Sequence, residues 1–113
     1  MMIKKLVTVT AIIMLLGSPA SYAAFSGNKL KEDCDSKAGS FTKGACIGYI
    51  IGTYDSIKWV EESDLPSCPP DAMTGKQLIS IVEKYLEEAP QLLHYPAYPL
   101  IAGALKKAFP CPD

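Results

Sequence analysis

The chain has 113 residues, with 11 basic side chains, all of them Lys, against 12 acidic ones and a single His. That length allows one domain and excludes dinucleotide-binding folds and barrels, which need more chain. Arg, the residue best suited to bidentate phosphate contacts, is missing, and no basic cluster exceeds Lys106-Lys107, so nucleic acid and anionic lipid surfaces are poor partners.

Residues 1–23 read as an address. Lys4 and Lys5 precede the uncharged run Leu6–Leu16, which Gly17 and Pro19 end. Ser21-Tyr22-Ala23 then puts small residues at the two positions a signal peptidase reads. The apolar run is too short to span a bilayer, which takes about 20 residues. Cleavage is therefore expected after Ala23, leaving a domain at 24–113 that is exported and free of the membrane. Removing Lys4 and Lys5 leaves 9 Lys against 12 acidic residues, a net charge near −3. A domain this small buries too little apolar surface to be secure without staples. Export makes disulfides the default use of Cys34, Cys46, Cys68 and Cys111. They hold no close pair and have only His94 to help, so a metal site is not expected.

The first predicted helix is short, near Lys29–Cys34, with Leu30 and Cys34 on one face. Ser36–Ser40, with Gly39, is a turn. A second helix is predicted from Thr42, read as its N-cap, to about Glu62. Cys46, Ile50, Ile57 and Val60 recur at helical spacing there, and Ile47, Ile51 and Tyr54 widen the stripe. Pro66, Pro69 and Pro70 then form a loop around Cys68 that cannot continue a helix. Thr74 and Gln77 make a capping box for the third helix, with Met73 and Leu78 placed to staple it. Leu78, Ile81, Val82, Tyr85 and Leu86 form its apolar face, and Pro90 ends it. The fourth helix is predicted from about Pro96 to Ala108, with Tyr98, Ile101, Ala102, Leu105 and Phe109 as its stripe. Pro96 and Pro99 lie in its first turn, where proline is tolerated, and Lys106 and Lys107 suit the negative end of its dipole. No segment alternates as a strand would. The expected fold is all-α, a small four-helix bundle stapled by disulfides.

Short loops make neighbouring helices antiparallel. Cys34 ends the first helix and Cys46 opens the second, so both lie at one end of the bundle. Cys68 follows the second helix and Cys111 the fourth, so both lie at the other end. The expected pairs are Cys34–Cys46 and Cys68–Cys111.

Signatures of catalysis are missing. The chain contains no G-x-S-x-G, H-E-x-x-H or phosphate loop, and one His cannot make an acid–base pair. Paired cysteines cannot act as nucleophiles. Glu61-Glu62 and Glu87-Glu88 are neighbours that point apart on a helix, so they read as solvated faces. No catalytic residue and no cofactor is expected.

Two features of the sequence call for explanation. Gly44, Gly48, Gly52 and Ser56 recur every four residues along the second helix, although glycine in a helix interior costs about 1 kcal/mol relative to Ala. Close approach of another helix of the same bundle is the favoured reading; a homodimer seam is the alternative. Asp55, beside this ridge, reads as a hydrogen-bonded structural acid. Second, Ala89–Leu105 contains no Asp, Glu, Lys or Arg, and within it Leu92-Leu93-His94-Tyr95 sits between Pro90 and Pro96. Either Leu92 or Leu93 plugs the bundle end, or the segment is a protein-binding knuckle. Aromatic side chains held by flanking prolines dock with little loss of entropy. On the second reading the partner-binding residues are Gln91, Leu92, His94, Tyr95 and Tyr98.

The order Cys46-x-Gly48-Tyr49-x-x-Gly52-x-x-Asp55, Cys68-x-Pro70, Thr74-x-x-Gln77, Tyr85-Leu86-x-x-x-Pro90 and Ala104-Leu105-x-x-Ala108-Phe109-Pro110-Cys111 resembles the Rap/Tai family of immunity proteins. The resemblance covers nearly all of the expected domain; Gly103, inside the fourth helix, and the doubled Pro69-Pro70 depart from the family pattern. It implies a periplasmic protein of a Gram-negative bacterium that binds and occludes a peptidoglycan amidase effector delivered by type VI secretion. The producing cell and its siblings are thereby protected. It also implies a homodimer. Two other readings fit a small exported helical chain: a periplasmic acid-stress chaperone of the HdeA type, and a small-molecule carrier.

Overall fold

The computed structural model describes residues 25–59 and 66–113. The expected signal peptide with its cleavage point, and the expected continuation of the second helix past Trp59, lie outside them. Four helices are present in the described chain: α1, Gly27–Cys34; α2, Phe41–Trp59; α3, Gly75–Glu88; and α4, Ala97–Ala108. A single 3-10 turn, Pro90–Leu92, links α3 to α4 and was not foreseen. No strand is present among the described residues, so the all-α bundle is as expected.

Helix starts follow local chemistry. Ser26 caps α1 by accepting from the Lys29 N–H. Thr74 and Gln77 make both halves of the capping box on α3. On α2 the expected cap was two residues late: Ser40, not Thr42, accepts from the Lys43 N–H at 3.1 Å, and the helix begins at Phe41. Ser40 wins because its hydroxyl sits three residues before that N–H, the spacing an N-cap requires. Its hydroxyl also donates to the Lys37 carbonyl and so closes the preceding turn. Gly39 bends that turn at a φ of +84°, a value that glycine adopts without strain.

The core is built from Leu30 of α1, Cys46 and Ile50 of α2, Leu78, Val82 and Leu86 of α3, and Ala97, Leu100, Ile101, Ala104 and Leu105 of α4. On α3 the spacing is the helical period read in the sequence; on α4 the buried face is turned from the expected stripe, since Ala97, Leu100 and Ala104 join Ile101 and Leu105 in the core while Tyr98 is exposed. Gly103 does not interrupt α4. A Cβ there would come within 3.0 Å of the Tyr85 hydroxyl, so the missing side chain makes room for a tyrosine of α3. Gly27 is tighter still: a Cβ would fall 2.3 Å from Leu100 Cδ1 and 2.8 Å from the Leu93 carbonyl oxygen.

Both disulfides form as expected, Cys34–Cys46 and Cys68–Cys111, with Cα atoms 5.0 Å apart in each. They close sequence separations of 12 and 43 residues, worth about 3 and about 4 kcal/mol by chain-entropy reasoning. The Cys34–Cys46 sulfurs lie near the Glu83 carboxylate, a grouping that superficially resembles a metal site. The sulfurs are bonded to each other and Glu83 is paired with Lys43 at 3.0 Å, so the three ligands are already engaged.

The favoured reading of the glycine ridge fails. Gly44, Gly48 and Gly52 are exposed, and a Cβ on any of them would meet nothing within 4 Å. No helix of the bundle uses the ridge, because α1, α3 and α4 pack on the opposite side, against Cys46, Ile50 and Thr53. Asp55 is exposed too, so it is not buried in the bundle.

Gly27→Ala should lower stability by about 1–3 kcal/mol, because the new methyl meets backbone at Leu93 as well as a side chain. Urea unfolding followed by circular dichroism measures this, with Gly48→Ala, which has open space, expected to be neutral or stabilising.

Candidate functional site

The segment between Pro90 and Tyr98 folds as a knuckle whose backbone faces inward. Leu92 donates its N–H to Ala89 and Tyr95 its N–H to Leu92, each at 3.0 Å, which coils the turn upon itself. The start of α1 then takes up carbonyls that a loop would otherwise show to water. The N–H groups of Gly27 and Asn28 donate to the Tyr95 and Leu93 carbonyls, both at 2.8 Å. These donors belong to the first turn of α1 and have no partner inside the helix. On the other side, Ala97 donates its N–H to the Phe25 carbonyl at 2.6 Å, and Ser26 and Pro96 form an antiparallel bridge. The Phe25 ring stacks on Tyr49 of α2 with centroids 4.8 Å apart.

The side chains divide accordingly. Leu93 is buried and Leu92 is half-buried against the core, so the plug reading holds for Leu93. Gln91 and His94 are exposed, while Tyr95 and Tyr98 remain 50% and 41% exposed. The His94 and Tyr95 rings lie against each other at 4.3 Å. Four of the five residues predicted from the sequence are thus exposed, with His94 and Tyr95 in contact, and Leu92 packs against the core. The sequence reading missed Phe25, Ser26, Gly27 and Asn28, which hold the knuckle from a distant part of the chain. The only local signal was the N-cap serine before a short helix.

Within residues 90–98 the ionisable side chains are His94, Tyr95 and Tyr98, with the His94 imidazole lying against the Tyr95 phenol. Elsewhere, Pro70, Met73, Gln77, Ile81 and Phe109 line an open groove of about 490 Å³. What the arrangement offers is recognition: aromatic and amide side chains on a turn already fixed by backbone hydrogen bonds.

Burial lifts the Tyr49 phenol above the ordinary tyrosine value near 10. The fold therefore favours the neutral phenol. Stability is intact below the ordinary value and falls as pH rises beyond it, because the unfolded chain ionises first. Urea midpoints should fall above about pH 10 in the wild type, and fall less in Tyr49→Phe, which keeps the Phe25 stack without the hydroxyl.

No helix among the described residues is long and apolar enough to cross a membrane. No curated protein matches the chain. The model of the family of Rap1a immunity proteins matches residues 26–111, which takes in the cap of α1, both disulfides and the knuckle. The chain belongs to the Rap1a immunity protein family.

Proposed function

We propose that this protein is a periplasmic immunity protein that binds a peptidoglycan amidase delivered by type VI secretion and occludes its cleft. The observation that carries the reading is the knuckle: exposed Gln91, His94, Tyr95 and Tyr98 on a turn whose carbonyls are bound by α1. An amidase cleft must admit a thin peptide to a reactive pair, so a projecting turn is a suitable plug. The backbone of that turn is already desolvated and ordered before binding, which lowers the entropy lost on docking. The signal-peptide pattern of residues 1–23 and the two disulfides suit a periplasmic site of action. The protein acts by binding and performs no turnover.

The test is periplasmic co-expression of a type VI peptidoglycan amidase with wild type and with a Leu92→Ala, Tyr95→Ala double variant, after circular dichroism shows that the variant is folded. The expected loss of affinity is about 2 kcal/mol or more, the scale of a true hot spot. Equal binding and protection by the folded variant would place the inhibitory surface elsewhere. Failure of the wild type to bind any periplasmic amidase would end the immunity reading.

We further propose that the protein pairs with a second copy of itself through the outer face of α2. Phe41 and Trp59 are 92% and 84% exposed. They lie 18 residues apart, which is about five helical turns, so they share one line along the helix. Gly44 and Ser56, and Gly48 and Gly52, are also exposed and, like Phe41 and Trp59, are centred on position 50. A two-fold axis through an antiparallel helix pair would set aromatic on aromatic and small on small. Four aromatic rings at about 150–250 Å² each supply about half to four-fifths of the ~1,200 Å² at which specific interfaces begin. Gly48→Leu with Gly52→Leu should leave the monomer folded, since both sites are open, and weaken pairing at least about tenfold in sedimentation equilibrium. A monomeric wild type at high concentration, or an equally dimeric variant, removes the homodimer.

A further inference from the structure

We propose that the Cys34–Cys46 disulfide is a positioning element for the knuckle, acting through α1 as a rigid arm, and that Cys68–Cys111 has no such role. The proposal rests on the plug reading only for its biological meaning; the mechanical coupling stands by itself.

Helix α1 has eight residues. Isolated helices shorter than about 12–15 residues are marginal in water, so α1 exists because both of its ends are held. At its C-terminal end Cys34 is bonded to Cys46 of α2. Lys43 of α2 also donates to the Cys34 carbonyl and pairs with Glu83 of α3 at 3.0 Å, placing a cation at the negative end of the α1 dipole. At its N-terminal end the free N–H groups of Gly27 and Asn28 hold the Leu93 and Tyr95 carbonyls. Between the two ends, Leu30, Asp33 and Cys34 are buried, and Asp33 is paired with Lys29 at 2.9 Å. About 12 Å of helix therefore separates the disulfide from the knuckle, with no joint between them.

The consequence is directional. If the disulfide is removed, the C-terminal end of α1 is left with the Lys43 bond to the Cys34 carbonyl, the burial of Leu30 and Asp33, and exposed or half-exposed ion pairs such as Lys31–Glu87, which are weak in water. The helix then frays, and the donors to Leu93 and Tyr95 are lost with it. Cys68–Cys111 joins the proline loop to the chain after α4, where the Cys68 N–H also donates to the Phe109 carbonyl. Neither of its cysteines belongs to α1 or to the knuckle, so its loss should weaken the bundle without singling out residues 91–97. The knuckle is set only where the Cys34–Cys46 bond can form, which is an oxidising compartment.

Residue-resolved amide hydrogen exchange on the mature protein tests this without any partner. In Cys34→Ser/Cys46→Ser, protection at Gly27, Asn28, Tyr95 and Ala97 should fall about fivefold to tenfold more than at Val82 and Leu86 of α3. In Cys68→Ser/Cys111→Ser the two groups of amides should lose protection equally. Asn28→Pro provides a check that keeps both disulfides. Proline is tolerated in the first helical turn but cannot donate to Leu93, so exchange at Tyr95 and Ala97 should again rise selectively. Asn28→Pro decides the question if the first cysteine variant does not fold. Unchanged exchange at Tyr95 and Ala97 in Asn28→Pro, or the same uniform loss in both cysteine variants, overturns the proposal. Selective loosening together with undiminished effector binding supports the arm and removes the plug.

Discussion

The buried Cys34–Cys46 bond is the constraint on which the N-terminal third of the structure depends. Without it, an eight-residue helix would have to hold its place by burying Gly27, Leu30, Asp33 and Cys34 alone. Leu30 is the one large apolar side chain in that set. Full burial of such a side chain is worth about 1.5–3 kcal/mol, which is comparable to the backbone entropy of ordering only one or two residues. The covalent bond shifts that balance by removing open conformations from the unfolded chain. Once α1 is fixed, its first-turn N–H groups are met by the Ser26 hydroxyl at Lys29 and by the carbonyls of Tyr95 and Leu93 at Gly27 and Asn28. Burying them unpaired would be costly.

The knuckle is therefore a product of two separate needs. Helix α1 must satisfy its N-terminal donors, and a turn between two prolines must satisfy its carbonyls. Each supplies what the other lacks. The by-product is a backbone that faces inward and side chains that face outward. A loop with so many apolar and aromatic residues could otherwise collapse onto the bundle. Only Leu93 does so fully, and Gly27 is the residue that lets α1 come close enough to trap it.

Most of the fold was legible in the sequence because its signals are local. Thr74 and Gln77 act within three residues, and the stripe on α3 repeats within one helix. The disulfide pairing followed from where each cysteine stood relative to a helix end. What could not be read is what no window of sequence contains. The bridge between Ser26 and Pro96 spans 70 residues. The shift of the α2 cap from Thr42 to Ser40 turned on a hydroxyl whose reach depends on the bend at Gly39. Gly103 was legible only as a departure from the family pattern, because the neighbour that requires it, the Tyr85 hydroxyl, comes from another helix. For the candidate site, Gln91, His94, Tyr95 and Tyr98 were legible from the charge-free run, whereas the donors that order them were not.

The α2 ridge was misread for a different reason. A glycine costs the same in a helix whether the space beside it is filled by the same chain or by another one. Sequence spacing reports the cost and not the beneficiary. Inside this bundle the three glycines are offset by nothing, since each faces open space. At about 1 kcal/mol apiece relative to Ala, they remove roughly 3 kcal/mol from a domain whose total stability is expected to be about 5–15 kcal/mol. Phe41 and Trp59 compound the loss by leaving large apolar surface in water at both ends of the same line. A monomer would be more stable with Ala at the three glycines and polar side chains at the two aromatics. No contact among the described residues offsets that cost, and the symmetry of the pattern about position 50 is what the proposed pairing with an identical helix, turned end for end, would match.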